Sequence, residues 1–234
     1  MCNPASFVVT KDRVFWSKRS DSHEDIIKEF DLCADGIDGP KIVRVEITPP
    51  NNNFRAPLED WQLNIDEVVI SCDLLPSWFN MDDVSRRTRS ALKNWISKRI
   101  IDSNKIIHDE QAYVFGNSCV YAYETSFIIS NDESNIEAYG RTLVHCKNQS
   151  KVRAYQRAEI ICKDDCTIKS YDNSRIFGYG NCNIYSYDES IVTAYDNCTV
   201  YAYNRSFVRT YDDAKVFKYD KATVDLVNNN DFYR

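Results

Sequence analysis

One periodicity constrains this chain more than any other feature. From Ser118 onward a β-branched apolar residue recurs every eight positions. The series runs Val120, Ile128, Ile136, Val144, Val152, Ile160, Ile168, Ile176, Ile184, Val192, Val200, Val208, Val216 and Val224. Two positions after each, as far as Val208, stands a small residue, as at Ala122, Ser130, Ala138, Cys146 and Ala154. Six after each, as far as Val216, stands another, as at Ser126, Ser134, Thr142, Ser150, Ala158 and Cys166. The consensus is V-x-A-Y-D-N-S-x, and fourteen registers without an insertion specify a stack of short units, a solenoid.

Numbered from its Val or Ile, the octad places residues 1 and 3 on one side of an extended strand and residue 2 on the other. Asp, Asn and Gly at positions 5 and 6 are corner residues. Position 7 turns back inside, where only Ser, Ala, Cys or Thr fits a narrow core. Position 4 sets the length of a coil. Alternate octads carry Tyr123, Tyr139, Tyr155, Tyr171, Tyr187, Tyr203 and Tyr219, while the intervening ones begin with Asn131, Lys147 and Lys163. The expectation is an all-β parallel β-solenoid with two strands and sixteen residues per turn. About seven turns would make a rod roughly 34 Å long.

The rest of the chain obeys other rules. All fifteen Tyr lie at Tyr113 or later, all four Trp lie before it, and no Pro follows Pro76. Residues 1–110 therefore read as a small α/β domain and residues 111–234 as the solenoid, giving an α+β unit followed by an all-β one. Ser6–Thr10 and Arg13–Trp16 read as a hairpin and Lys41–Thr48 as a strand. A short helix over Glu24–Phe30 would be capped by Ser22. A longer one from Met81 to about Ile101 would be capped by Asn80, burying Val84, Ala91, Leu92 and Trp95 and capping the solenoid.

The two broad outer faces are expected to differ. One carries Phe127, Ile129, Leu143, Ile161, Phe177, Ile191 and Phe207, a stripe too apolar to be left wet, suited to the N-terminal segment or to a two-fold homodimer. The other carries Asn135, Glu137, Lys151, Arg153, Thr167, Lys169 and Asn183. With Tyr121, Tyr185 and Tyr201 it is the face left for a ligand, and Tyr121, Tyr185, Tyr201, Arg153 and Lys169 are its candidate binding residues.

Several groups of residues suggest a chemistry. Removal of Met1 would give Cys2 a free α-amine, the arrangement of N-terminal cysteine hydrolases and amidotransferases, with His23 to orient or protonate. No Gly follows Cys2 and no oxyanion element is recognisable. Cys146 and Cys162, like Cys166, Cys182 and Cys198, are sixteen apart and read as stacked core thiols, not as metal ligands. No metal and no cofactor are expected. Arg86, Arg89 and Lys93 align on the long helix, with Arg87, Lys98 and Arg99 near, and suit phosphate contact, though a solvated face is the default. The formal charge of −6, with sixteen acids against fourteen bases in residues 112–234, speaks against nucleic acid and DNA mimicry. Scattered Thr, octads in place of hexads, and isolated Gly argue against ice binding, left-handed-helix acyltransferases and calcium-binding rolls. No apolar run is long enough for a membrane span and no signal peptide is evident, so a cytoplasmic location is expected.

The opening MCNPASFVVTKDRVFWSKRSDSHEDII resembles a family of proteins from bacteriophages and bacterial mobile elements. In that family a Met-Cys-x-Pro-Ala-Ser-Phe start and a Ser-His-Glu-Asp run recur, often before a tail of V-x-A-Y-D-S-A-T-type repeats. Cys2, Pro4, Ala5, Ser6, Phe7, Phe15, Trp16, Asp21, Ser22, His23, Glu24 and Asp25 carry the likeness. It implies a phage or prophage origin and a role in host interaction or counter-defence, without an activity. The leading expectation is a non-enzymatic protein that binds a protein partner or small ligand. The N-terminal cysteine enzyme and a structural or assembly accessory protein are the alternatives.

Overall fold

The structure is a computed structural model, and it describes residues 4–33, 35–36, 39–65 and 75–227. The chain forms two compact units, Met1–Ile100 and Ile101–Arg234. Within the first, strands Val14–Phe15, Ser6–Val9, Val43–Thr48 and Gln62–Ile65 lie side by side, in that order, as an antiparallel sheet. Val43, Val45 and Ile47 alternate inward from the third of these, which is why its pattern repeats every two residues. Helix α1 (His23–Glu29) is capped by the Ser22 side chain, which accepts from the Asp25 amide. Helix α2 (Met81–Arg99) is capped in the same way by Asn80, with Asp82 and Asp83 at its positive end. Its buried stripe is Val84, Thr88, Leu92, Trp95 and Arg99. Ala91 is only half-buried. Thr88 occupies the inner face because its hydroxyl donates to the Val84 carbonyl.

The second unit is the solenoid, with sixteen residues per coil and about eight coils. An eight-stranded sheet runs from Lys105–His108 to Lys215–Lys218, and a nine-stranded one from Ile100–Ile101 to Thr223–Leu226. We call them the first and second sheet. From Gln111–Val114 onward the pairings are parallel with a constant sixteen-residue offset, as Val152 with Ile168 and Ile160 with Ile176. The position-1 residues from Val120 to Val208 are at most 1% exposed. Each such side chain contributes roughly 1.5–3 kcal/mol of burial, offset by the entropy of ordering its strand.

The solenoid starts earlier than residue 111, because its first coil hides from an eight-residue count. Val120 pairs with Lys105, fifteen positions back, whereas Ile128 pairs with Ala112, sixteen back. One missing residue moves Ile107 opposite Ala122 and breaks the octad arithmetic while keeping Ile107 buried.

At each corner the position-5 residue, from Glu124 to Asp220, has a φ between 49° and 75°. This left-handed region suits Gly, Asn and Asp. The same side chains do a second job. Those of Asp164, Asp172, Asp188 and Asp196 each accept from the backbone N–H of the corner one coil earlier, at 2.8–3.2 Å. At Gly140 the acceptor is Gln156 Oε1, at 2.7 Å. Position 7 is equally satisfied, since buried hydroxyls such as Ser174 and Ser190 donate to the position-4 carbonyl of their own corner.

Candidate functional site

Because outward residues repeat every sixteen positions, the first sheet carries straight columns parallel to the rod axis. Its position-2 column runs Tyr121, Glu137, Arg153, Lys169, Tyr185, Tyr201, Phe217. All five candidate binding residues therefore stand in one line. The column has an internal order. Glu137 accepts from Arg153 at 2.7 Å, Lys169 Nζ lies 6.0 Å from the Tyr185 ring, and Tyr185, Tyr201 and Phe217 stack at 4.9 and 5.2 Å. Tyr121 and Phe217, near its two ends, are 38% and 47% exposed.

Beside this column, two residues along each strand, stands a ladder of eight rings. His108, Tyr123, Tyr139, Tyr155, Tyr171, Tyr187, Tyr203 and Tyr219 stack at 4.7–5.1 Å with nearly parallel planes. Partial burial pushes the phenols of Tyr155, Tyr171 and Tyr187 above their ordinary pKa. Tyr139 rises further, since its hydroxyl also donates to Glu137 at 2.7 Å. Stacked rings spend their faces on one another. What they offer a ligand is a row of edges and hydroxyls, held by the sheet.

Glu137 and Phe217 complete the column and were not among the candidates. The same sixteen-residue count from Tyr121 or Tyr201 reaches both.

The apolar candidates Phe127, Ile129, Leu143, Ile161, Phe177, Ile191 and Phe207 share the outer face of the second sheet, in two columns. The stripe is not continuous. Glu159 and Arg175 separate Leu143 from Ile191, while His145, Thr193 and Arg209 interrupt the other column. Phe127 meets His145 edge-on at 5.0 Å.

Cys2 lies outside the described residues. His23 is 8% exposed and its Nε2 is 3.2 Å from the Val45 carbonyl oxygen, which makes Nε2–H the donor. Burial lowers its pKa, with that hydrogen bond opposing in part. The imidazole is thus a neutral, sheet-facing group of the N-terminal core.

The basic stripe of α2 is largely used up. Arg86 pairs with Asp83 at 2.5 Å. Arg87 donates to the carbonyls of Thr10 and Lys11, and Arg89 to those of Leu58 and Trp61. Arg99 is buried against Asp21 at 3.2 Å.

Cys146, Cys162, Cys166, Cys182 and Cys198 are buried free thiols, and burial pushes the Cys146 thiol up. Among the described residues no group of His, Cys, Asp and Glu is arranged to hold a metal ion, and no helix is long and apolar enough to cross a membrane.

Compared with known proteins, the chain matches no family model, no curated protein and no solved structure.

Proposed function

We propose that this chain is a non-catalytic binding protein that presents the first sheet's outer face to a protein partner or small ligand. The observation that supports it is the single column from Tyr121 to Phe217. Exposed aromatic rings, a cation and an ion pair stand there on a rigid 16-residue grid, edged by the hydroxyl row of the tyrosine ladder. Aromatic and arginine side chains held in place lose little entropy on binding, which is what a recognition surface needs. Glu137, the carboxylate of the column, spends one oxygen on Arg153 and the other on Tyr139. The likeness of the opening segment to phage proteins favours a partner in the cytoplasm of a bacterial host.

The test is retention of a partner by the full-length protein from bacterial cytosol, read by mass spectrometry. It is compared between the native chain, a Lys169→Glu/Tyr185→Ala/Tyr201→Ala variant and an Ile161→Ser variant of the opposite face. Loss in the first variant alone is expected. A partner or bound molecule held equally by the native chain and the first variant would overturn the assignment of this face.

A further inference from the structure

We infer that the solenoid has a second, independent binding site: an arginine groove for a phosphorylated small molecule. It lies where the corner that follows the first sheet meets the second sheet. Arg141 and Arg157 stand at position 6 on successive coils, and Arg175 stands at position 8 on the next. Together they line a groove of about 680 Å³ with Glu159, Leu143 and Ile191.

Two observations converge on an anion. The first is pairing. Of the six described arginines in the solenoid, Arg153, Arg205 and Arg209 are neutralised by Glu137, Glu189 and Asp225. The side chains of Arg141, Arg157 and Arg175 make no ion pair and no hydrogen bond. The three unpaired guanidiniums are the three that share the groove. The second is charge. Glu159 is the one acid of the lining, so the groove carries a formal charge of +2 from three Arg and one Glu. A phosphoryl dianion balances that charge. Its oxygens match the planar fork of guanidinium, which donates two parallel hydrogen bonds.

The surroundings narrow the ligand to something small. The groove volume lies within the range of small-molecule sites, and Leu143 and Ile191 give its organic part apolar surface. Further along the same corner the surface turns acidic, with Asp172, Asp188 and a Glu189 paired to Arg205 lining the neighbouring depression. A nucleic-acid backbone following the rod would meet those carboxylates, whereas a single phosphorylated molecule stops short of them.

The experiment is calorimetric titration of the full chain at low salt with ADP, adenosine, inorganic pyrophosphate and a short DNA duplex. Saturable one-to-one binding of ADP is expected, with adenosine weaker by roughly ten-fold or more, the scale of one lost charge-assisted hydrogen bond. Pyrophosphate separates the anion from its organic part, and binding close to that of ADP supports the arginine assignment. Arg157→Gln/Arg175→Gln should weaken ADP at least roughly ten-fold on the same scale, while Arg205→Gln leaves it unchanged. The arginines are exposed, so these variants retain the fold, which thermal melting checks. Absence of saturable binding by both ADP and pyrophosphate, equal loss in Arg205→Gln, or tighter binding of the duplex than of ADP would each overturn the site. None of these results bears on the tyrosine-edged face, which is altered by different residues.

Discussion

Asp172 Oδ2 lies 2.8 Å from the backbone nitrogen of Gln156, the corresponding corner residue one coil earlier. The carboxylate thus completes the hydrogen bonding of a corner it does not belong to. Asp172 itself sits at φ 55°, so one residue type serves two needs of the stack.

Replacing it separates the two. Asp172→Ala loses both the acceptor and the tolerance for left-handed backbone, and should cost about 1–2 kcal/mol in urea unfolding. Asp172→Asn keeps both, as Asn204 does toward Asp188, and should stay within about 0.5 kcal/mol of the native chain. Equal loss in the two variants would mean the acceptor is irrelevant.

The core has a site of unusual tightness at Gly178. A Cβ there would lie 2.6 Å from Ile184 Cδ1 and 3.2 Å from the Cys198 sulfur. Gly178→Ala is expected to destabilise by about 1–3 kcal/mol through overpacking. Ile184→Val removes the clashing methyl at a cost of about 0.5–1.5 kcal/mol. The double variant should therefore be less destabilised than the sum of the two, which a double-mutant cycle in urea measures.

Alkali should weaken the solenoid through its tyrosine ladder. Burial raises the phenol pKa of Tyr155, Tyr171 and Tyr187 above 10.0, and burial with donation to Glu137 raises Tyr139. The folded chain holds these protons more tightly than the unfolded one. Their contribution is present in full below pH 10 and is lost as pH rises through the folded values. Tyrosinate absorbance of the native protein should lag that of the unfolded chain, and Tyr139→Phe should reduce the lag.

Acid acts on the other unit. Burial holds the His23 pKa below 6.5, so the unfolded chain binds the proton first as pH falls. Stability contributed by neutral His23 is present above pH 6.5 and declines below it. His23→Gln keeps a donor for the Val45 carbonyl without the titration. Its melting temperature should fall less between pH 7.5 and pH 5 than that of the native chain. Parallel profiles would show that His23 is not the group responsible.

Most of the architecture is legible in the sequence, and particular residues show why. An octad with a small residue at positions 3 and 7 leaves no other place for Val120 or Ile160 than a narrow interior. The alternation of Tyr123 with Asn131, then Tyr139 with Lys147, sets two strands per coil. Ser22 and Asn80 announced the two α-helices among the described residues of the first unit, because capping is a local event, decided within four residues. The strand Gln62–Ile65 left no such signal. Only Ile65 of its four residues is buried, so its place in the sheet rests on pairing with Val43–Thr48 and not on an apolar pattern of its own.

Periodicity determines which residues stack, because a repeating chain meets itself at a fixed interval and alternation decides the side each residue faces. It thereby placed Tyr121, Arg153, Lys169, Tyr185 and Tyr201 on one face, and the seven apolar candidates on another. Only the folded chain decided how neighbours share their charges and hydrogen bonds. Arg153 turns to Glu137, while Arg141, Arg157 and Arg175 stay unpaired; Arg87 and Arg89 reach distant backbone carbonyls; the first coil is one residue short. These depend on rotamers and on contacts between segments far apart in the chain, and a local pattern carries no record of either.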